Sequence, residues 1–277
     1  MTSPLAAVSA ALRSVQTAIV RPARADWQHR LDLVVILVQR YLKGLYKDSF
    51  LGMVWTVINP LAQLLIYVFL FRIVLSLDIP RYSSFAFTGV LVYTWFQSAL
   101  SDATSVIRDN ADLVALPGFS VPILPVISVA TTLINFGIAL PLLLLIIAID
   151  GTTWSLSLTA LPVLLLLQFV FTLGLAYLAA AANVYVRDVE HLLGVALQLY
   201  FFLTPIFYAL DAVPAAYQWV YTINPMAHLI TAYRDVLLHG TAPDWSVLGV
   251  LALVSMTLLG LGMRVFSTAS RRFLEML

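Results

Sequence analysis

The chain has 277 residues, of which 61% are hydrophobic and 10% charged, with a formal net charge of +1 and no cysteine. So few charges exclude an ordinary soluble domain, in which about a quarter of the residues are charged. The lack of cysteine excludes disulfides and thiolate metal sites.

Residues 1–25 carry no compact basic, apolar and small-residue succession of a cleavable signal, and are expected to form a flexible cytoplasmic amino terminus. Residues 26–47 have a different character. Trp27, Leu31, Val34, Val35, Val38, Leu42 and Leu45 recur at helical spacing, while Arg30, Gln39, Arg40, Lys43 and Lys47 mark another face. With Asp26 as N-cap, this pattern predicts an amphipathic helix lying along the membrane surface. Its basic residues Arg40, Lys43 and Lys47 would sit at the cytoplasmic mouth, where they can attract phosphate or anchor to anionic headgroups.

Six apolar runs follow, near Leu51 to Leu75, Ser84 to Leu100, Val121 to Ile149, Leu156 to Ala182, Leu192 to Leu210, and Ser246 to Phe266. Their lengths centre on the roughly 20 residues that a helix needs to cross a bilayer. Lipid offers no partner for backbone N–H and C=O groups, and the runs lack the two-residue alternation of barrel strands, so helices are expected. The expected fold class is an all-α integral membrane protein with six transmembrane helices in a domain spanning residues 48–277. If the amino terminus is cytoplasmic, twelve of the 15 Lys and Arg residues fall on that side, leaving Arg72, Arg81 and Arg234 opposite. Both termini are then expected in the cytoplasm.

Between the fifth and sixth runs, residues 211–245 read as a helical hairpin that dips into the outer leaflet and returns. The first arm carries Trp219 and Tyr221. The second starts at Asn224-Pro225, an N-cap followed by proline at the first helical position, and ends at Gly240. Both arms are too short to cross, and such a shape is tolerated where protein or a water-filled cavity covers its backbone. Arg234 in the second arm is expected to face protein or headgroups, not lipid.

Reactive chemistry is scarce. Lys43 precedes Gly44 and Lys47 precedes Asp48, so neither lysine stands in a phosphate-binding P-loop, and ATP with its Mg²⁺ would belong to a separate ATPase chain. His29, His191, His228 and His239 are scattered without metal-ligand spacing. Asp102 and Arg72 are the ionisable groups nearest the spans, which disfavours ion-coupled transport. Asp109 and Asp112 lie one helical turn apart in a polar loop, and no carboxylate pair or nucleophile and base can be assembled for catalysis. The chain is expected to be neither an enzyme nor a nucleic-acid binder.

Three segments in order resemble the permease subunits of ABC type-2 exporters that move polysaccharides and teichoic acids. The first is Arg40-Tyr41-Leu42-Lys43-Gly44-Leu45-Tyr46-Lys47-Asp48-Ser49-Phe50-Leu51-Gly52-Met53-Val54-Trp55 with Asn59-Pro60-Leu61. The second is Asn183-Val184-Tyr185-Val186-Arg187-Asp188-Val189-Glu190-His191. The third is Thr204-Pro205-Ile206-Phe207-Tyr208 with Asn224-Pro225-Met226 and Tyr233-Arg234. The resemblance implies a homodimer of six-span subunits, two cytoplasmic ATPase subunits, and a lipid-linked glycan carried across the bacterial inner membrane. It implies coupling to the ATPase through the amphipathic helix and the cytoplasmic loops, here Asp109, Asn110, Leu113, Arg187 and Asp188. It also implies an external gate, here Trp219, Tyr221, Asn224, Pro225 and Arg234. The loop after the second span departs from the pattern, reading Asn110-Ala111-Asp112-Leu113-Val114-Ala115-Leu116-Pro117-Gly118-Phe119 where relatives are commonly basic before Phe-Pro.

Aromatic residues form 12% of the chain. Their faces are apolar platforms with polar rims, suited to weak, repeated contact with sugar rings. Tyr93, Trp95, Tyr177, Tyr200, Tyr208 and Tyr221 are the expected path residues, although membrane aromatics also pack against lipid and at interfaces. A drug or small-lipid exporter of the same superfamily, or a membrane enzyme of glycan assembly, are the other classes considered.

Overall fold

The computed structural model describes residues 36–38, 54–76, 78–152, 155–210 and 213–276. Most of the expected amphipathic helix, including Arg40, Lys43 and Lys47, lies outside the described residues. Every regular element among those described is helical.

Among the described residues from Trp55 on, ten α-helices follow one another: α1 (Trp55–Tyr67), α2 (Tyr82–Asp109), α3 (Ala111–Val114), α4 (Ile123–Ile149), α5 (Leu161–Tyr185), α6 (Asp188–Phe202), α7 (Gln218–Ile223), α8 (Pro225–Arg234), α9 (Trp245–Ala269) and α10 (Phe273–Met276). Helix α1 continues as a π-helical stretch to Val74, and α8 as another to His239. Four helical segments among the described residues are long and apolar enough to cross a membrane: Trp55–Val74, Ile123–Ile149, Leu156–Tyr185 and Trp245–Met276. They correspond to the first, third, fourth and sixth runs of the sequence.

The second run is the middle of a longer helix than its apolar core suggests. Helix α2 has 28 residues, about 42 Å at the α-helical rise. Nineteen of them are buried, because α2 packs against α1, α4, α5, α6 and α8. A helix enclosed by protein needs less hydrophobicity than one bathed in lipid, so Ser84, Thr88 and Thr104 sit fully buried on it. Each bonds locally or across the bundle: the hydroxyls of Thr88 and Thr104 donate to carbonyls one turn back, at 2.8 and 2.6 Å, and that of Ser84 donates to Asp150. Asp150, at the end of α4, also accepts the Ser84 N–H at 3.3 Å. A carboxylate thereby sits at the positive end of the α2 dipole.

The fifth run breaks. Helix α6 has 15 residues, about 22 Å, and stops at Phe202. Pro205 has no N–H to continue the ladder and its ring disfavours helical backbone at Thr204. The expected continuous helix to Leu210 is therefore replaced by irregular chain from Leu203 to Ala209.

Helices α5 and α9 form the tightest pair. A β-carbon on Gly262 would overlap the carbonyl oxygen of Gly174, and one on Gly174 would stand 2.7 Å from the Leu259 nitrogen. Small residues permit this backbone approach, a common route to close packing where hydrophobicity cannot drive helices together.

Candidate functional site: the helix break after α6 and its brace

The break after α6 leaves a run of backbone carbonyls with no helical partner, a costly condition away from water. Each carbonyl from Phe202 to Phe207 nevertheless accepts a hydrogen bond. Tyr208 Oη donates to Phe202 O at 3.1 Å and Asn224 Nδ2 to Leu203 O at 3.3 Å. Ile206 N donates to Thr204 O at 2.7 Å. Arg234 donates from Nη1 to Pro205 O and from Nη2 to Ile206 O, both at 2.8 Å, and Tyr82 Oη donates to Phe207 O at 3.3 Å. The polar side chains come from α2 and α8, the N-cap of α8 and the segment itself.

Asn224 uses both ends of its amide. Its Oδ1 accepts the Ala227 N–H at 3.1 Å as the N-cap of α8 and the Tyr200 hydroxyl at 2.5 Å. Its Nδ2 reaches Leu203 O and, at 3.2 Å, Thr204 Oγ1. Pro225 occupies the first helical position, where its missing N–H is harmless. Gly240 closes the second arm at φ +67°, the left-handed conformation that suits a glycine C-cap.

Arg234 is 5% exposed, and among the described residues no carboxylate lies within 4.0 Å of it. Neighbouring Asp235 bonds His239 instead, at 3.2 Å. The guanidinium charge is met by carbonyl dipoles, since Nε and Nη2 also donate to Phe85 O at 3.3 and 3.2 Å, and by the Phe85 ring, 3.4 Å from Cζ to centroid. Gly89 makes the room: a β-carbon there would lie 3.0 Å from Arg234 Nη2 and 3.2 Å from Ile206 Cα.

The expected path aromatics occupy two environments. Tyr93, Trp95 and Tyr177 are packed inside the subunit. Tyr93 donates to Leu197 O at 2.5 Å and Tyr177 to Pro122 O at 2.9 Å. Trp95 lines a cleft of about 220 Å³ between α1, α2 and α4 together with Trp55, Asn59, Thr94, Asn135 and Phe136, and among the described residues its indole N–H finds no hydrogen-bond partner. Tyr200, Tyr208 and Tyr221 are half-buried around the broken segment. The proton of Tyr208 goes to Phe202 O, so in its 2.8 Å contact with Tyr221 the donor is Tyr221. Trp219 is exposed on α7.

At the other end of the bundle, Asp109 accepts the Ser105 hydroxyl at 2.6 Å and Asn110 Nδ2 donates to Val106 O at 2.8 Å. Leu113 is buried, while Arg187 and Asp188 are exposed at the turn into α6. Arg108 and Glu190, 3.8 Å apart, join the two loops in a surface pair. Such pairs contribute about 0–1 kcal/mol, so this one aligns the loops more than it holds them.

Sequence reasoning missed Tyr82, Phe85, Gly89 and Asp150. Nothing in their local pattern marks them; the Thr204-Pro205 breaker was the available signal for a bend that needed bracing.

Four apolar helices long enough to cross a membrane, among the described residues, and a proline-broken helix braced by α8 define a multi-pass membrane protein. The family model of the ABC-2 type transporter matches residues 32–238, and the chain belongs to that family. It is 38% identical over 261 residues to the O-antigen export system permease protein RfbA of Myxococcus xanthus, covering 93% of this chain and 99% of that one. It is 31% identical over 247 residues to the protein of that name from Klebsiella pneumoniae, covering 89% and 95%. The polysialic acid transport protein KpsM of Escherichia coli is 22% identical over 261 residues, covering 91% and 99%.

Proposed function

We propose that this chain is the transmembrane subunit of an ATP-driven exporter that moves a lipid-linked, O-antigen-like polysaccharide from cytoplasm to periplasm. The observation that carries the reading is the likeness to O-antigen export permeases along nearly the whole of both chains. The substrate class rests on that likeness, and the braced break after α6 would form the rim of the exit.

In this reading two copies pair in the inner membrane, each crossing six times. Helix α2 and the broken fifth segment supply the remaining two crossings, α7 and α8 form the re-entrant hairpin, and both termini face the cytoplasm. The exposed apolar faces of α1 (Leu65, Ile66, Phe69) and α6 (Leu192, Leu199, Phe202) are where the second copy and lipid would meet the subunit. Two separate ATPase subunits, holding ATP and Mg²⁺, would press on residues 26–47 and on the loop end bearing Asp109, Asn110, Leu113, Arg187 and Asp188. Arg40, Lys43 and Lys47 would attract the carrier's phosphates.

Tyr200, Tyr208 and Tyr221 would border the exit, with Trp219, Asn224, Pro225 and Arg234 forming its gate. Tyr93 would act by holding α2 to α6 and Tyr177 by holding α5 to the start of α4, and Trp95 through the cleft that it lines.

The test is reconstitution of the chain with its ATPase in proteoliposomes, following a labelled lipid-linked glycan. ATP-dependent movement is expected with both components, together with no ATP hydrolysis by the chain alone. Hydrolysis by the pure chain, or movement of a small amphiphilic drug in place of the glycan, would overturn the reading.

A further inference from the structure

A hollow of about 680 Å³ lies between the carboxyl-terminal ends of α5 and α9, lined by Tyr185, Arg264, Val265, Thr268, Ala269, Arg271 and Arg272. Arg264 and Thr268 stand one turn apart on α9, and Arg271 and Arg272 follow in the 3-10 turn Ser270–Arg272, so that three arginines line one hollow at one helix end. The opposite wall is Tyr185, whose hydroxyl donates to Ala269 O at 3.4 Å and ties the two helices together. All three arginines are exposed, and among the described residues none of them lies within 4.0 Å of a carboxylate. Three like charges beside one cavity, with no counter-ion among the described residues, call for an anion from outside.

The depth of the hollow says which kind. Trp245 is exposed at the first turn of α9 and preceded by the polar N-cap Asp244, which sets it at one membrane boundary. Nineteen residues separate it from Arg264, about 28 Å at 1.5 Å per residue, against a hydrocarbon core of about 30 Å. Arg264 therefore emerges at the opposite boundary, and Arg271 and Arg272 stand about two turns beyond, at the outer edge of the headgroup layer, from which their long side chains can reach back to lipid phosphates.

We propose that this hollow binds the phosphate headgroup of a membrane lipid, gripped by Arg264, Arg271 and Arg272 beside Tyr185. Guanidinium forks match phosphate oxygens in geometry as well as charge, and basic recesses at helix ends are suited to anionic headgroups. The lipid phosphate has two sources, an ordinary anionic phospholipid or a polyprenyl diphosphate carrier. The site depends on the membrane setting but not on which cargo is moved.

The test uses the full-length chain in dodecyl maltoside, titrated separately with phosphatidylglycerol, undecaprenyl diphosphate, phosphatidylcholine and inorganic phosphate. Bound lipid is read by native mass spectrometry and stabilisation by thermal shift. Saturable binding of at least one of the first two is expected, with phosphatidylcholine far weaker. The triple variant R264Q/R271Q/R272Q should bind on the order of a hundredfold more weakly. The triple Arg→Lys variant should retain most binding, and Arg72→Gln at the other end of the bundle should match the parent. Preference for phosphatidylglycerol assigns the site to bulk lipid, and preference for undecaprenyl diphosphate assigns it to the carrier. Unchanged lipid binding by the triple Gln variant, equal binding of phosphatidylcholine, or saturation by inorganic phosphate alone would overturn the proposal. So would a triple Gln variant that loses only co-purification with the ATPase. None of these results bears on glycan transport, which is measured separately.

Discussion

Arg234 holds Phe85 twice over, with its guanidinium 3.4 Å above the ring and two N–H groups donated to the same residue's carbonyl. Its remaining bonds go to Pro205 and Ile206, so one side chain fastens α8 both to α2 and to the broken segment. Arg234→Ala strands several buried carbonyls, each worth about 1–3 kcal/mol when left unpaired. The expected result is loss of export together with a lower melting temperature of the purified subunit. Arg234→Lys keeps the charge but has no planar fork to serve three carbonyls at once, and should recover little.

Gly89 is the counterpart of that arginine. An added β-carbon would press on Arg234 Nη2 and on the backbone and side chain of Ile206, all within 3.2 Å. Gly89→Ala should cost about 1–3 kcal/mol, the usual penalty of overpacking, although alanine is the better helix former. Thermal unfolding in detergent reads it, and a stabilised Gly89→Ala protein would contradict the packing of α8 on α2.

Asn224 separates capping from bracing. Aspartate at this position keeps an acceptor for the Ala227 N–H, but it cannot donate to Leu203 O or Thr204 Oγ1 and it buries a charge. If the cap were the whole role, Asn224→Asp would behave like the parent, since both residues are good caps. The two lost donations predict instead that Asn224→Asp is as damaged as Asn224→Ala in melting temperature and in export. Asn224→Ser, which caps and can donate once, should fall between the parent and those two variants.

The local signals in the sequence located much of this fold. The third, fourth and sixth runs became α4, α5 and α9 within a few residues of their expected ends, and Asn224-Pro225 and Gly240 bound the second arm as their capping chemistry requires. What was hidden depends on solvent and on distance along the chain. Lipid is as apolar as leucine, so hydrophobic periodicity could not tell that Tyr93 faces protein while Leu199 does not. The contacts of Arg234 with Phe85 span 149 residues, and no local pattern encodes them. Proline at position 205 was visible, but its effect competed with a continuous apolar run to Leu210.

Close approach of α5 and α9 gives a prediction with internal controls. Alanine at Gly262 would collide with the Gly174 carbonyl, and alanine at Gly174 with the backbone of Leu258 and Leu259. Both variants should lower the melting temperature, Gly262→Ala the more. Gly249→Ala and Gly260→Ala lie on the same helix with open space at the β-carbon position. These two should be neutral or slightly stabilising, by up to about 1 kcal/mol from helix propensity. Equal effects at all four positions would mean that helix propensity, not interhelical contact, governs glycine on α9.

Asp244 gives the pH dependence. The Ser246 hydroxyl, then the Val247 and Ser246 N–H groups, hold its carboxyl below the ordinary carboxylate range at the N-cap of α9. A carboxyl lowered in the folded protein lends its stabilisation fully above its unfolded value of about 3.9, and loses it as pH falls through the lower folded value. The cap should therefore be intact at neutral pH and fade only in strong acid. Melting curves of the parent and Asp244→Asn, recorded from neutral pH down to about pH 3, should converge at the acid end, because the neutral amide caps without titrating. A gap that widens as pH falls would mean that the carboxylate is not what holds the first turn of α9.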